Sequence, residues 1–236
     1  MAGAGKKTFT AGEVLTASDV NTYLMEQSVM YFGGTAARSS AIPTPSTGMT
    51  TYIGTTGTAS IPQIETYTGS AWQTPYGMTL VANVSFTSVA DVSIDNVFSS
   101  TYQNYIIKFV ITTASAGTIA LRLRDGSGDS TGTAYSYAAM QIVTNVWTAL
   151  DNSAGANSFN VGYNSGSVPV GSTVNLYNPN VAARTGYDYQ SQYNSLGLFG
   201  GGSNSTTTQW TGMKILAGAG GGNITGNIRV YGLRNS

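Results

Sequence analysis

Arg122-Leu-Arg-Asp-Gly-Ser-Gly-Asp-Ser130 is the densest polar constellation in the 236-residue sequence. Asp125 and Asp129 flank Gly126, Ser127 and Gly128 there, and two carboxylates, a hydroxyl and loop carbonyls are the oxygen donors that Ca²⁺ collects. The spacing lacks the alternating acidic positions and closing Glu of an EF-hand loop, and a hairpin turn that opens on Asp-Gly needs no ion. No resident metal is therefore expected, with Asp125 and Asp129 the weak candidate pair. Glycoside hydrolysis would need one protonated and one ionised carboxyl about 5 to 9 Å apart. The pairings to consider are Asp91 with Asp95, Asp125 with Asp129 and Asp151 with Asp188, none of which sits in a motif. The sequence holds no His and no Cys, which removes His-assisted and Cys nucleophiles, disulfides, and imidazole or thiolate metal sites together. The expectation is a protein that is not an enzyme and carries no cofactor.

Binding through aromatic and amide groups fits the composition better, because sugar rings stack on Tyr and Trp faces while amides and hydroxyls read their hydroxyl groups. Gly186-Tyr-Asp-Tyr-Gln-Ser-Gln-Tyr-Asn-Ser195 is the best local candidate. As a strand it would set Tyr187 and Tyr189 on one face, with Gln190, Gln192 and Tyr193 completing a ligand-binding set to which Trp210 is added. The same rings could equally be core or interface residues, an ambiguity shared by Tyr135, Tyr137, Trp147, Tyr163, Tyr177 and Trp210.

Such residues need a scaffold, and the scaffold reads as mainly β. From residue 79 onward, apolar stretches of strand length are separated by Gly-rich or Asn-rich turns, the texture of an antiparallel sandwich or barrel. Strands are predicted near 79–87, 90–95, 104–113, 117–124, 133–143, 157–163, 172–178, 186–193, 208–217 and 224–232, arranged as a jelly-roll-like β-sandwich. Ile119, Leu121 and Leu123 alternate with Ala120, Arg122 and Arg124, so that strand has one apolar face. The Gly-rich runs 197–202 and 217–222 lack the strand-then-helix context and Lys-Ser/Thr pair of a phosphate loop; they read as hairpin loops or places of close backbone approach.

Residues 1–78 have a different texture. A helix is predicted over 16–32, capped by Thr16 with Asp19 three residues on, with Val20, Tyr23, Leu24, Gln27 and Met30 recurring at helical spacing. No second helix is predicted to cover that stripe, which leaves a sheet of the same chain, an oligomer or another protein to do so. Residues 41–48, with two prolines among small polar residues, read as an extended connector, followed by short strands around Tyr52 and Ile64–Trp72. The organisation is thus a 1–78 attachment module and a 79–236 β domain.

Ten Lys and Arg balance ten Asp and Glu, and charged residues make up only 8% against about 25% in ordinary domains. A neutral chain cannot lean on phosphate neutralisation, so neither nucleic acid nor an anionic membrane is an expected partner. No apolar run reaches the roughly 20 residues of a membrane span, and the N-terminus has no apolar segment behind Lys6 and Lys7 of the kind a secretory signal carries.

The stretch Phe9-Thr-Ala-Gly-Glu-Val-Leu-Thr-Ala-Ser-Asp-Val-Asn-Thr-Tyr-Leu-Met-Glu-Gln-Ser-Val-Met30, with Thr35-Ala-Ala-Arg38, Gly48-Met49 and Tyr67-Thr-Gly-Ser-Ala-Trp72, resembles the opening of tailed-bacteriophage appendage proteins. These are the tail fibre, minor tail and head fibre proteins of phages infecting actinobacteria and cyanobacteria. The resemblance is strongest over residues 8–80 and looser at Ile228-Arg-Val-Tyr-Gly-Leu233. It implies a virion-exposed structural protein, synthesised in the host cytoplasm. Its N-terminal part would dock on capsid, connector or tail through Val20, Tyr23, Leu24, Gln27 and Met30. Its β domain would meet a host-surface glycan as a homotrimer, whose three-fold packing could bury the helical stripe. A purely architectural decoration or connector protein is the alternative, and a polysaccharide depolymerase a more distant one.

Overall fold

The computed structural model describes residues 8, 10–21, 28–54, 62–74, 77–143, 146–166, 168–193, 196–218 and 222–234. The chain divides into two compact units, Met1–Tyr76 and Gly77–Ser236, and is mainly β.

In the first unit, the expected capping box is present. Thr16 accepts from the Asp19 N–H and the Asp19 carboxylate accepts from the Thr16 N–H, opening α1 (Ala17–Asp19). The predicted helix does not reach residue 32, because Met30–Phe32 form strand β1. Tyr31 stacks on Tyr52 with ring centroids 5.9 Å apart, and β1 runs parallel to β2 (Thr50–Ile53). Such a parallel pair needs a crossover, and the described crossover contains a second helix that the sequence reading did not anticipate, α2 (Thr35–Ala41). Its Thr-Ala-Ala-Arg-Ser-Ser-Ala sequence has no apolar stripe, and the residue it buries is Arg38. Of residues 41–48, read as a connector, Ala41 ends α2 and the rest lie within this unit between α2 and β2.

The sheet continues antiparallel through β3 (Gln63–Tyr67) to β4 (Trp72–Gln73). Thr68 closes the β3–β4 turn, its hydroxyl bonded to the Ala71 carbonyl at 3.0 Å. Gly69 takes the positive φ of +98° that the turn demands. Under this hairpin Arg38 pairs with Glu65, both buried. The guanidinium lies 4.2 Å from the centroid of the Trp72 ring, and Gln63 Nε2 donates to the second Glu65 oxygen at 2.7 Å. A cation–π contact and a hydrogen-bonded ion pair therefore stand where a larger unit would place aliphatic side chains.

The second unit is a sandwich of two antiparallel sheets. Its strands are β5 (Met78–Val89), β6 (Asp91–Ile94), β7 (Tyr102–Thr113), β8 (Ala116–Asp125), β9 (Gly128–Asp129), β10 (Tyr135–Val143), β11 (Val146–Ala156), β12 (Phe159–Ser165), β13 (Val170–Tyr177), β14 (Thr185–Tyr193), β15 (Leu196–Asn204), β16 (Gly212–Ala217) and β17 (Ile224–Arg234). The large sheet has the order β11-β10-β15-β14-β13-β7-β17-β5 and the small one β12-β8-β16-β6, with β9 paired to β8. With the additions β9, β10–β11 and β14–β15 set aside, the remaining strands change sheet at every step along the chain except from β8 to β12, which are neighbours in the small sheet. Period-two burial follows from this layering. Tyr105, Ile107, Phe109 and Ile111 point into the core while Lys108 and Val110 point out, and Ile119, Leu121 and Leu123 meet them from β8.

Besides the two-residue β9, two strands of this unit, β15 and β11, were not anticipated. Residues 197–202, read as a hairpin loop or a close approach, form the middle of β15 between β14 and β10. The close approach is the reason for the glycines. A Cβ on Gly200 would overlap the Tyr189 ring, and one on Gly202 would overlap the carbonyl oxygen of Ser136. β11 was missed because Asn, Ser, Ala and Gly fill its second half.

Gly202→Ala is expected to cost more than about 2 kcal/mol, since backbone atoms and not a movable side chain stand in the way. Gly171→Ala, where nothing lies within 4 Å of the new carbon, should cost less than about 1 kcal/mol; urea denaturation of the two variants checks the difference. Glu65→Gln leaves the buried Arg38 charge uncompensated and is expected to destabilise the first unit by about 3–5 kcal/mol. Amide hydrogen exchange should then quicken in β2 and β3 with β7 and β13 unaffected.

Candidate functional site

Strand register places one continuous polar face on the outside of the large sheet. Reading across the strands, Arg229 stands opposite Lys108, Lys108 opposite Thr173, Thr173 opposite Gln190, Gln190 opposite Phe199, and Phe199 opposite Met140. The adjacent rank holds Asn227, Val110, Gly171, Gln192 and Gly197 in the same order. At the neighbouring-strand spacing of about 4.8 Å, Arg229 and Phe199 stand about 19 Å apart. Gly171 opens the centre of this face, because the space above its α-carbon is empty. The result is a shallow groove of about 490 Å³ lined by Lys108, Val110, Gly171, Thr173, Gln190, Gln192, Asn227 and Arg229.

The face that holds the groove has chemically distinct ends. Toward β15, the Trp147 ring packs on Phe199 at 5.6 Å between centroids, and Trp147 is 55% exposed. This is an open aromatic shelf of the kind on which a sugar ring stacks. In the middle, the Gln190 and Gln192 side chains and the Thr173 hydroxyl line the floor. Asn227 donates to Asn83, Val84 and Ser85 at 2.9–3.2 Å, which holds it against β5. The far end is cationic.

Of the residues singled out from the sequence for ligand binding, Gln190 and Gln192 stand on this face. Tyr187 and Tyr189 face the other way and are core, each 3% exposed. The Tyr187 ring lies 4.0 Å from Phe159, and its hydroxyl donates to the Asn160 carbonyl at 2.9 Å. Trp210 is buried as well. No sugar can stack on these three rings in the folded chain. Tyr193 ends β14, and its side chain lies outside the described residues. Tyr135 is core too, its hydroxyl tied to the Leu123 N–H and Ser130 carbonyl, and burial raises its pKa. Phe199, Thr173, Lys108 and Arg229 were missed; the signal available for Lys108 was its position opposite in phase to Tyr105, Ile107 and Phe109.

The other candidates are placed as follows. Val20 is half-buried at the end of α1 and Met30 half-buried on β1, so Met30 belongs to a strand and not to a helical stripe. Tyr23, Leu24 and Gln27 lie outside the described residues. Asp129 is held by Arg124 and by Lys214, the latter at 2.7 Å. Asp125 Oδ1 accepts the Ser127 hydroxyl at 2.5 Å and N–H at 2.8 Å, bonds that hold its carboxyl below the usual range. The segment is a hairpin turn locked by ion pairs. Asp95 pairs with Arg124 and Asp91 with Lys214. Asp188 accepts from Asn175 at 2.7 Å and from Tyr177 at 2.5 Å, and that second bond, with burial behind it, raises the Tyr177 hydroxyl. Among the described residues no three His, Cys, Asp or Glu side chains cluster as a metal would need, and no helix is long and apolar enough to cross a membrane.

Asp129→Asn is expected to cost about 1–3 kcal/mol, because two partly buried cations lose a charged partner. Millimolar Ca²⁺ should leave the melting temperature of the unaltered protein where it was, and a rise with Ca²⁺ would return Asp125 and Asp129 to the role of ligands. No protein-family model, no curated protein and no solved structure matches the chain.

Proposed function

We propose that this chain is a non-enzymatic structural protein of a tailed-phage virion: a short fibre or spike subunit whose first unit attaches to the particle and whose β-sandwich adheres to a host-surface glycan. The observation that carries the adhesion half is the outer face of the large sheet, where an exposed aromatic shelf stands beside the groove with its amides and hydroxyl. Its openness suits a polymer that extends past both ends, and weak sites of this type gain strength when several copies act together. A homotrimer is the proposed assembly.

The attachment half rests on the resemblance to phage appendage proteins. Two of the segments that carry that resemblance, Thr35–Arg38 and Tyr67–Trp72, supply the Arg38 and Trp72 that meet Glu65 in the interior of the first unit. The alternation of strands between sheets we read as a jelly roll, with β5-β17-β7-β13 facing β6-β16-β8-β12 and the β10–β11 and β14–β15 hairpins widening the first sheet.

A purely architectural role, as a decoration or connector protein, is favoured by one observation. Val110, Met140 and Trp147 are 47–55% exposed on the large sheet, and apolar side chains in that position could serve a contact between proteins.

The test is Gly171→Trp, which fills the groove from a position with room for a side chain. The full-length protein is expected to bind an array of bacterial surface glycans, and the variant to lose at least tenfold in affinity at an unchanged melting temperature. Undiminished binding by the variant would move the site elsewhere. Particles that adsorb normally without the protein but lose physical stability would favour the architectural role.

A further inference from the structure

We infer that the ligand of this groove is acidic: a surface polysaccharide bearing a carboxylate or phosphodiester, whose oxyanion is held between Lys108 and Arg229. The inference rests on the glycan-adhesion reading above and names the class of glycan.

Lys108 and Arg229 occupy directly opposed positions on neighbouring strands β7 and β17, and both are exposed on the same face. Like charges in that relation destabilise a sheet, and a neighbouring carboxylate is the ordinary remedy. None is supplied. The groove is lined by no Asp or Glu, and among the described residues no carboxylate pairs with either cation.

The shortage is local, since the chain has as many acidic as basic residues. The acidic side chains near other cations are spent on the small sheet, where Asp91, Asp95 and Asp129 close on Arg124 and Lys214. Asp188, the carboxylate closest in the large sheet's ranks, stands opposite Asn175, one rank removed from Thr173, and is bonded to Asn175 and Tyr177.

What the two cations offer is a complementary pair of grips. The Arg229 guanidinium presents a planar fork that fits both oxygens of a carboxylate or phosphate, and the Lys108 ammonium is a mobile point charge beside it. Thr173 and Gln190 continue the rank away from Lys108, placing neutral hydrogen-bonding groups where the hydroxyls of the same sugar chain would run. Two cations in this groove, on a chain of zero net charge, are too few for nucleic acid, whose binding sums many phosphate contacts. A second copy laid symmetrically over this groove would bring four cations together, which disfavours that occupant.

The experiment uses the full-length protein against four immobilised polymers: polygalacturonate, a poly(glycerol phosphate), neutral dextran and single-stranded DNA, at about 50 and 300 mM NaCl, a span over which screening of exposed charges grows strongly. At least one acidic glycopolymer should bind tenfold or more tightly than dextran and weaken with salt, and which one binds separates carboxylate from phosphodiester. Lys108→Gln and Arg229→Gln should each reduce that binding at least tenfold while the melting temperature holds or rises, because the opposed charges have been relieved.

Binding to dextran or to the neutral members of a glycan array that both substitutions leave intact would overturn the acidic ligand and keep glycan adhesion. Failure to bind any glycan, neutral or acidic, would overturn both. DNA bound as tightly as the best glycopolymer would replace the inference with a general polyanion surface. Substitutions that lower the melting temperature and leave binding unchanged would show that the cations serve the sheet alone.

Discussion

The rings of Tyr187 and Tyr189 must go somewhere, and the inner side of the large sheet takes them because β15 lies beside β14 with Gly200 and Gly202 turned inward. Tyr189 lies where a side chain on Gly200 would be, and Gly202 lets β10 approach from the other flank. From that fit follow the contacts that join the added hairpins to the sandwich. Tyr187 meets Phe159 of the small sheet, Phe159 meets the Tyr135 ring edge-on at 4.7 Å, and the Tyr135 hydroxyl reaches the backbone of β8. Orientation follows too. With the tyrosines inward, Gln190 and Gln192 must point outward, and a slip of one residue in the β14 register would reverse every one of them.

This same strand shows what the sequence could and could not disclose. Period-two alternation tells which residues share a face, and Tyr187 and Tyr189 do share one. It does not tell which face is covered, because a row of aromatic residues suits a core as well as a binding shelf. The deciding partner is Gly200, and a glycine carries no hydrophobic signal of its own, so residues 197–202 read as a loop. β7 was readable for the opposite reason. Tyr105, Ile107, Phe109 and Ile111 differ so sharply from Lys108 and Val110 that one face had to be core.

In the first unit, β1 and α2 escape the sequence through the same kind of gap between local pattern and tertiary partner. Helical spacing predicts a helix over 16–32, of which residues 22–27 lie outside the described residues; Met30–Phe32 pair with β2, and strand pairing outweighs weak propensity in so short a segment. α2 escaped notice because its inward-facing residue is an arginine. Arg38 enters an interior only where a carboxylate and an indole face receive it, and Glu65 and Trp72 come from strands 27 or more positions further along. Spacing within a helix carries no information about such a partner.

Charge is distributed between the two outer surfaces of the sandwich with a consistent logic. On the small sheet, Arg124 and Lys214 share Asp129 and each has an additional Asp, so the turn at Asp125 and the edge at β6 are fastened by neutralised pairs. These ion pairs are partly exposed and of modest individual worth, but as a connected set they fix side chains that would otherwise move. On the large sheet the polar residues are left with spare capacity: opposed cations, outward amides and an exposed indole on one face. A chain with a net charge of zero could have matched every cation with a carboxylate. It matches Arg124 and Lys214 on the small sheet, where Arg122, opposite Lys214, donates to the Asn157 carbonyl instead, and it leaves Lys108 and Arg229 opposed with no carboxylate on either among the described residues, the asymmetry on which the proposed acidic-glycan site rests.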